Sequence, residues 1–318
     1  MLVTENTKFK ELRRIPQIGK NYKYVLYCPA FARPLYWNLT IKQMIPAGDL
    51  QSTLDGLNRL ADVAAQGDYC YCLYPGEKGS KKDVSLTHFP AKNGSVKPTV
   101  ILCPGGAYGA VAALTEGYPV AKQLNELGYH AFCLNYRVCR SKLMPQPIDD
   151  LATAVKFLQD NRKELNLSEE YIVCGFSAGG NLTTLWGTDH LGYVHYGLPK
   201  PKALFPIYPF VDYHLGDNPT LTACRNFMFG KKTSPETLHQ YSPAEHVSAY
   251  PPCYIVNCLD DSTVSPENGV VLKTALDQAG IPCVLEQGEK GEHGFGDGKG
   301  TSVEGWIDRA ITFVETLS

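Results

Sequence analysis

From residue 98 onward, short apolar runs alternate with stretches in which apolar residues recur every three or four positions. The runs Thr99–Cys103, His130–Asn135, Tyr171–Cys174, Ala203–Tyr208, Cys253–Cys258 and Cys283–Glu286 are too short and too continuous for amphipathic helices, and read as buried strands. Between them, Val120, Ala121, Leu124 and Leu127 have helical spacing, as do Ile148, Leu151, Ala152, Val155 and Leu158. A helix follows Ser177 through Leu182 and Leu185. Two more carry Val271, Leu272, Ala275, Leu276 and Ala279, then Trp306, Ile307, Ala310, Ile311, Val314 and Leu317. Gly128 and Gly280 supply stop signals. The alternation predicts an α/β fold with a mostly parallel central sheet and helices on both faces.

The first part of the chain follows another pattern. Residues 1 to 45 show no sustained period, whereas Leu50, Leu54, Leu57, Ala61 and Ala64 form a helical stripe stopped at Gly67. Tyr69–Tyr74 and Val84–Phe89 read as two strands joined by a Pro/Gly/Lys-rich turn, an antiparallel entry to the sheet. The expected division is an N-terminal extension over 1–83, packed on a core of 84–318. Within that core, 209–252 has mixed polarity and turn signals at Gly216-Asp217-Asn218-Pro219 and Phe229-Gly230. Connections this long are usually functional, and the segment is expected to be a small lid-like insertion.

Composition narrows the function classes. A chain of 318 residues can bury one large α/β core. With a formal net charge of −2 it carries no electrostatic footprint for nucleic acid. The eleven cysteines are odd in number, and Cys103, Cys133, Cys174, Cys258 and Cys283 fall inside strands, so they read as buried free thiols. Cys70-x-Cys72 has no second Cys or His pair at zinc spacing, and no metal site is read there. The N-terminus lacks the apolar core of a secretion signal and no stretch approaches a membrane span; a cytoplasmic protein without membrane partners is expected. Oligomeric state is not legible.

The chemistry gathers around Gly175-Phe176-Ser177-Ala178-Gly179-Gly180, which joins a strand to a helix. A serine at so sharp a turn is conformationally strained, and side chains two residues away would strike the neighbouring strand and helix; glycine on both sides removes that collision. A serine hydroxyl needs a base. His293 is the only one of eight histidines that lies beyond the aspartates Asp260 and Asp261, so it alone satisfies the order serine, acid, histidine along such a sheet. The two aspartates cannot both face one imidazole. Oxyanion donors are expected from the N–H of Ala178 and from the loop Pro104-Gly105-Gly106-Ala107-Tyr108, with the inward N–H that of Gly105, Gly106 or Ala107. Tyr108, Tyr213, Phe227 and Phe229 are candidates for lining a pocket or for plain packing. Asp149 and Asp150 read as caps of the helix at Leu151, and Tyr136 and Arg137 as structural.

Together these motifs resemble the α/β-hydrolase superfamily, in its esterase/lipase branch. More narrowly, Pro104-Gly105-Gly106-Ala107-Tyr108, Asn135-Tyr136-Arg137-Val138, the Ser177 turn, Tyr241-Ser242-Pro243 and the Asp261 and His293 loops are similar to the bacterial group called acetyl-xylan esterase or carbohydrate-esterase-like. The likeness covers about residues 84 to 316. It implies Ser177 as nucleophile, His293 as base, and Gly105, Gly106 and Ala178 around the oxyanion. Asp261 is the acid it favours, since Asp-x-x-Val followed by Pro resembles the family's acid loop, with Asp260 in reserve as a loop-stabilising carboxylate. A small-molecule or oligosaccharide ester is the implied substrate, with no metal and no organic cofactor. Pro104 stands where the family usually has His, and residues 1–83 match no motif. A peptidase or lactonase on the same triad, or a binding protein that kept the fold, are the other readings.

Overall fold

The computed structural model describes residues 2–16, 18–19, 21–25, 33–45, 50–93, 96–216 and 218–317. Eight strands form one sheet: β1 (Cys70–Cys72), β2 (Ser85–Phe89), β3 (Thr99–Cys103), β4 (Ala131–Asn135), β5 (Tyr171–Phe176), β6 (Ala203–Ile207), β7 (Cys253–Cys258) and β8 (Cys283–Gly288), in the order β1-β2-β4-β3-β5-β6-β7-β8. The first two strands pair antiparallel and β2 pairs antiparallel with β4; all later pairings are parallel. This is the α/β-hydrolase architecture that the motifs imply.

The helices are α1 (Phe9–Leu12), α2 (Arg33–Tyr36), α3 (Ile41–Met44), α4 (Leu50–Ala64), α5 (Tyr118–Glu126), α6 (Gln146–Asp160), α7 (Ala178–Trp186), α8 (Pro219–Phe229), α9 (Pro235–Gln240), α10 (Glu267–Gln278) and α11 (Trp306–Glu315). Crossovers between parallel strands are right-handed, so the step from β3 back to β4 puts α5 on one face, and the steps onward from β4 and β5 put α6 and α7 on the other. Helices α4 and α11 contact α5 on its face, and α6 contacts α7. The sheet is covered on both sides, and β2 to β7 are buried at every position. Strand β8 differs. As an edge strand it alternates between half-buried and exposed, and Cys283 is only half-buried, against the expectation of a core thiol. The described cysteines are all free.

The described residues between 2 and 45 are less irregular than their pattern predicts, because their elements are shorter than the window in which a period can be seen. Helix α3 has a capping box: Thr40 Oγ1 accepts from Gln43 N at 3.3 Å while Gln43 Oε1 accepts from Thr40 N at 2.9 Å. Phe9, Leu12, Ile15 and Ile18 are fully buried in the common core. Val3 N donates to Asn58 Oδ1 at 2.8 Å, and Tyr118 on α5 donates to Tyr24 O at 3.0 Å. Helix α4 lies so close to α5 that a Cβ at Gly56 would sit 2.7 Å from the Tyr118–Pro119 backbone. Among the described residues, no helix is long and apolar enough to cross a membrane.

Candidate active site

The carboxyl ends of β3, β5, β6, β7 and the chain after β8 converge at one end of the sheet, the place where open α/β folds bind ligands. At the end of β5 the chain turns so sharply that Ser177 takes φ 53° and ψ −116°. Its N–H still donates to Ile207 O at 3.0 Å, and its carbonyl accepts from Asn181 N at 2.9 Å, which fixes the turn to both sheet and helix. A Cβ at Gly175 would lie 2.1 Å from Gly179 O, and one at Gly179 would lie 1.8 Å from Cys103 O. Both glycines are therefore sterically obligatory.

His293 Nε2 lies 2.8 Å from Ser177 Oγ, and its Nδ1 lies 2.8 Å from Asp261 Oδ2. Asp261 is buried, and its other oxygen accepts from Thr263 N at 2.9 Å and Val264 N at 2.8 Å, which aims the carboxylate at the imidazole. The neighbouring Asp260 points elsewhere. It accepts from Gly291 N at 3.0 Å and Glu292 N at 2.9 Å, bracing the loop that presents His293. Glu292, at φ 52°, in turn accepts from Ser262 Oγ at 2.9 Å.

The loop after β3 corrects one expectation. Gly105 N does not face the cleft: it donates to Glu116 Oε2 at 2.5 Å, so its N–H is already committed. Gly105 serves by lacking a side chain, since a Cβ there would meet Phe176 O at 2.7 Å and Ser177 Cβ at 2.8 Å. Among the described residues neither Gly106 N nor Ala107 N meets an acceptor, and Ala178 N, in the first turn of α7, has no intrahelical one. Gly106 and Ala107 both take positive φ, at 123° and 51°. From the far side Tyr136 donates to Pro104 O at 2.6 Å, anchoring the residue that replaces the family's His.

Glu116 was not singled out by sequence. It sits in a single π-helical turn, Ala113–Gly117, just before α5, and is buried beneath the loop. Its second oxygen accepts from Tyr208 Oη at 2.9 Å, and Tyr208 Oη accepts from Gly296 N at 3.2 Å. One carboxylate thus links the Gly105 loop, the end of β6 and the loop of His293. Burial pushes the Glu116 pKa up; the Gly105 N–H, the nearby His293 and the Tyr208 hydroxyl oppose that less strongly. The only sequence signal was a lone charge in the otherwise uncharged stretch from Val111 to Val120.

Other expectations also shift. The Tyr108 ring is fully buried, its hydroxyl donating to Asn181 Oδ1 at 2.8 Å, so it presents no surface to a substrate. Tyr213, Phe229 and Tyr241 pack on one another inside the insertion, with centroids 5.6 and 5.0 Å apart. Phe227 on α8 is the insertion's approach to the loop, 3.2 Å from where a Gly109 Cβ would be, and Asn218 Nδ2 donates to Thr263 O at 2.8 Å beside Asp261. Asp149 and Asp150 are not caps, because α6 begins earlier, at Gln146. Asp150 is buried and accepts from Arg137 N at 2.8 Å and Arg137 Nε at 2.9 Å, holding the chain after β4.

Several known proteins are similar to this chain. An acetylxylan esterase of Xylanibacter ruminicola is 30% identical over 207 residues, 63% of this chain and 41% of that protein. Endo-1,4-beta-xylanase B of Butyrivibrio fibrisolvens is 25% identical over 230 residues, 69% of this chain and 35% of that one. The chain therefore spans less than half the length of these curated relatives. The crystal structure of an acetyl ester-xyloside bifunctional hydrolase from Caldicellulosiruptor lactoaceticus superimposes with a TM-score of 0.63 at 27% identity, over 73% of this chain and 88% of that one. A truncated carbohydrate esterase from gut microbiota shares the fold, with a TM-score of 0.64 at 21% identity over 78% and 95% of the two chains. The BD-FAE family profile matches residues 87–276, and with the sheet order and strand-end site described above, this chain belongs to the BD-FAE family of α/β-hydrolases.

Proposed function

We propose that the protein is a serine carboxylic ester hydrolase acting on short acyl esters, acetyl groups on a sugar or oligosaccharide foremost. The observation that carries this reading is the pair of 2.8 Å contacts joining Ser177 Oγ, His293 and Asp261. Ser177 Oγ attacks the ester carbonyl as His293 Nε2 takes its proton, and the buried Asp261 carboxylate holds Nδ1–H and stabilises the imidazolium. The developing oxyanion is met by the N–H groups of Ala178 and of Gly106 or Ala107. His293 returns the proton to the departing alcohol, leaving an acyl-Ser177. Water, deprotonated by the same imidazole, then releases the acid and restores the serine.

The acetyl and carbohydrate assignment is supported by the relatives described as acetylxylan esterase and acetyl ester-xyloside hydrolase. Ser177→Ala is expected to lower p-nitrophenyl acetate turnover by about 10⁶ and to abolish labelling by a fluorophosphonate probe. Retention of most activity would eliminate the mechanism. A panel of acetylated xylo-oligosaccharides against longer-chain esters and aminoacyl amides tests the substrate class, and preference for the amides would move the assignment to a peptidase.

A further inference from the structure

Beyond the end of α7 opposite Ser177, two segments meet that the ester chemistry does not use: the chain just after α7, with Asp189 and His190, and the end of the insertion, with His246. All three residues are half-buried, and one ring nitrogen from each histidine and one oxygen of Asp189 lie within 4.8 Å of one another. The two rings are 4.1 Å apart between centroids.

Their hydrogen bonds orient the rings. His190 Nε2 is 2.7 Å from Gln240 O, and His246 Nε2 is 3.1 Å from His239 O. A carbonyl can only accept, so each Nε2 carries the hydrogen and the lone pair of each neutral ring is on Nδ1. Histidines that bind metals are oriented in this way, with the non-ligating N–H given to a carbonyl or carboxylate. Asp189 is held as well, by the Ser248 hydroxyl on its second oxygen. Its first oxygen lies 3.3 Å from His190 Nδ1, a separation that a metal ion bound by both atoms would match.

We infer that Asp189, His190 and His246 form a site for a divalent transition ion of the Zn²⁺ class. Two imidazoles and one carboxylate suit that ion, with water completing the shell. Donor atoms around a tetrahedral Zn²⁺ at about 2.0–2.1 Å stand roughly 3.4 Å apart, so side-chain rotations have to draw the three together by little more than 1 Å. The ion ties the insertion, which places Phe227 beside the oxyanion loop, to the end of the helix that begins at Ser177. Its role is to hold the insertion against the core and not to take part in ester cleavage.

The test uses the full chain, dialysed against chelator, then titrated with ZnCl₂ by calorimetry and, in parallel, with Co²⁺ followed by its absorption. One equivalent of Zn²⁺ is expected, with a rise in the thermal midpoint of the protein. Bound Co²⁺ is expected to show ligand-field bands without thiolate charge transfer, which sets the site apart from binding at cysteines. His246→Gln and Asp189→Asn should each weaken binding at least tenfold and remove the rise, while the metal-free variants keep the parent midpoint and ester turnover. Equal binding by parent and both variants, a thiolate signature, or no binding overturns the assignment; none of these bears on the Ser177 reaction.

Discussion

Replacing Glu116 tests whether the oxyanion loop is held from beneath. In Glu116→Ala the Gly105 N–H and the Tyr208 hydroxyl, both buried, lose their acceptor, and the loop is free to leave the conformation proposed to offer Gly106 N or Ala107 N to the oxyanion. If one oxyanion donor is lost as a result, about 2.7–4 kcal/mol of transition-state stabilisation goes with it, or roughly 10²–10³ in kcat. Glutamine keeps the volume and one acceptor for Gly105 but turns its NH₂ toward Tyr208, so Glu116→Gln should lose one charge-assisted bond and about tenfold in kcat. The KM for p-nitrophenyl acetate should stay within about threefold in both, since the loop acts on the transition state and not on the bound ester. Stability supplies a second readout. Burial raises the Glu116 pKa above its unfolded value, so between the two values the folded state holds a proton the unfolded chain has lost, and stability falls as pH rises through that window. Glu116→Gln removes this slope, and urea melts across the acid range would show it. A folded Glu116→Ala whose kcat stays within about twofold of the parent would refute the argument.

Four other substitutions separate roles that look alike in sequence. Asp261→Asn should cut kcat by about 10⁴, whereas Asp260→Asn, which only loosens the exposed Gly291–Glu292 brace, should cost no more than about 1 kcal/mol in a denaturant melt with a far smaller kinetic effect. Gly179→Ala places a methyl 1.8 Å from the Cys103 carbonyl, where only backbone movement can relieve it; a loss of at least about 3 kcal/mol is expected, and a normal melt would show that the turn is looser than described. Asp150→Ala leaves Arg137 buried without its 2.8 Å partner and should destabilise by about 3–5 kcal/mol, measured by urea unfolding.

The sheet was legible because β3 to β7 are buried on both faces and so appear as unbroken apolar runs; β8, on the edge, fades into alternation. The convergence of Ser177, Asp261 and His293 was legible because each lies directly after a strand, and strand ends of a parallel sheet share one rim. What escaped the sequence was whatever depends on where a buried polar group points. The choice of N–H in the Gly105-Gly106-Ala107 loop turns on Glu116, a residue from a later turn that spacing alone cannot bring beneath the loop. Tyr108 stayed open between pocket lining and packing for the same reason: the choice waits until its hydroxyl is seen on Asn181.

The seat of α4 against the Tyr118–Pro119 backbone means that residues outside the matched family region are wedged beside the turn that carries Glu116. Trimming the chain to residues 87–276 would strip α5 of α4 and α11, cut into β2 and take away β8 together with His293, leaving raw borders at both sides of the sheet. The unit that folds together is accordingly longer than the stretch the family match covers.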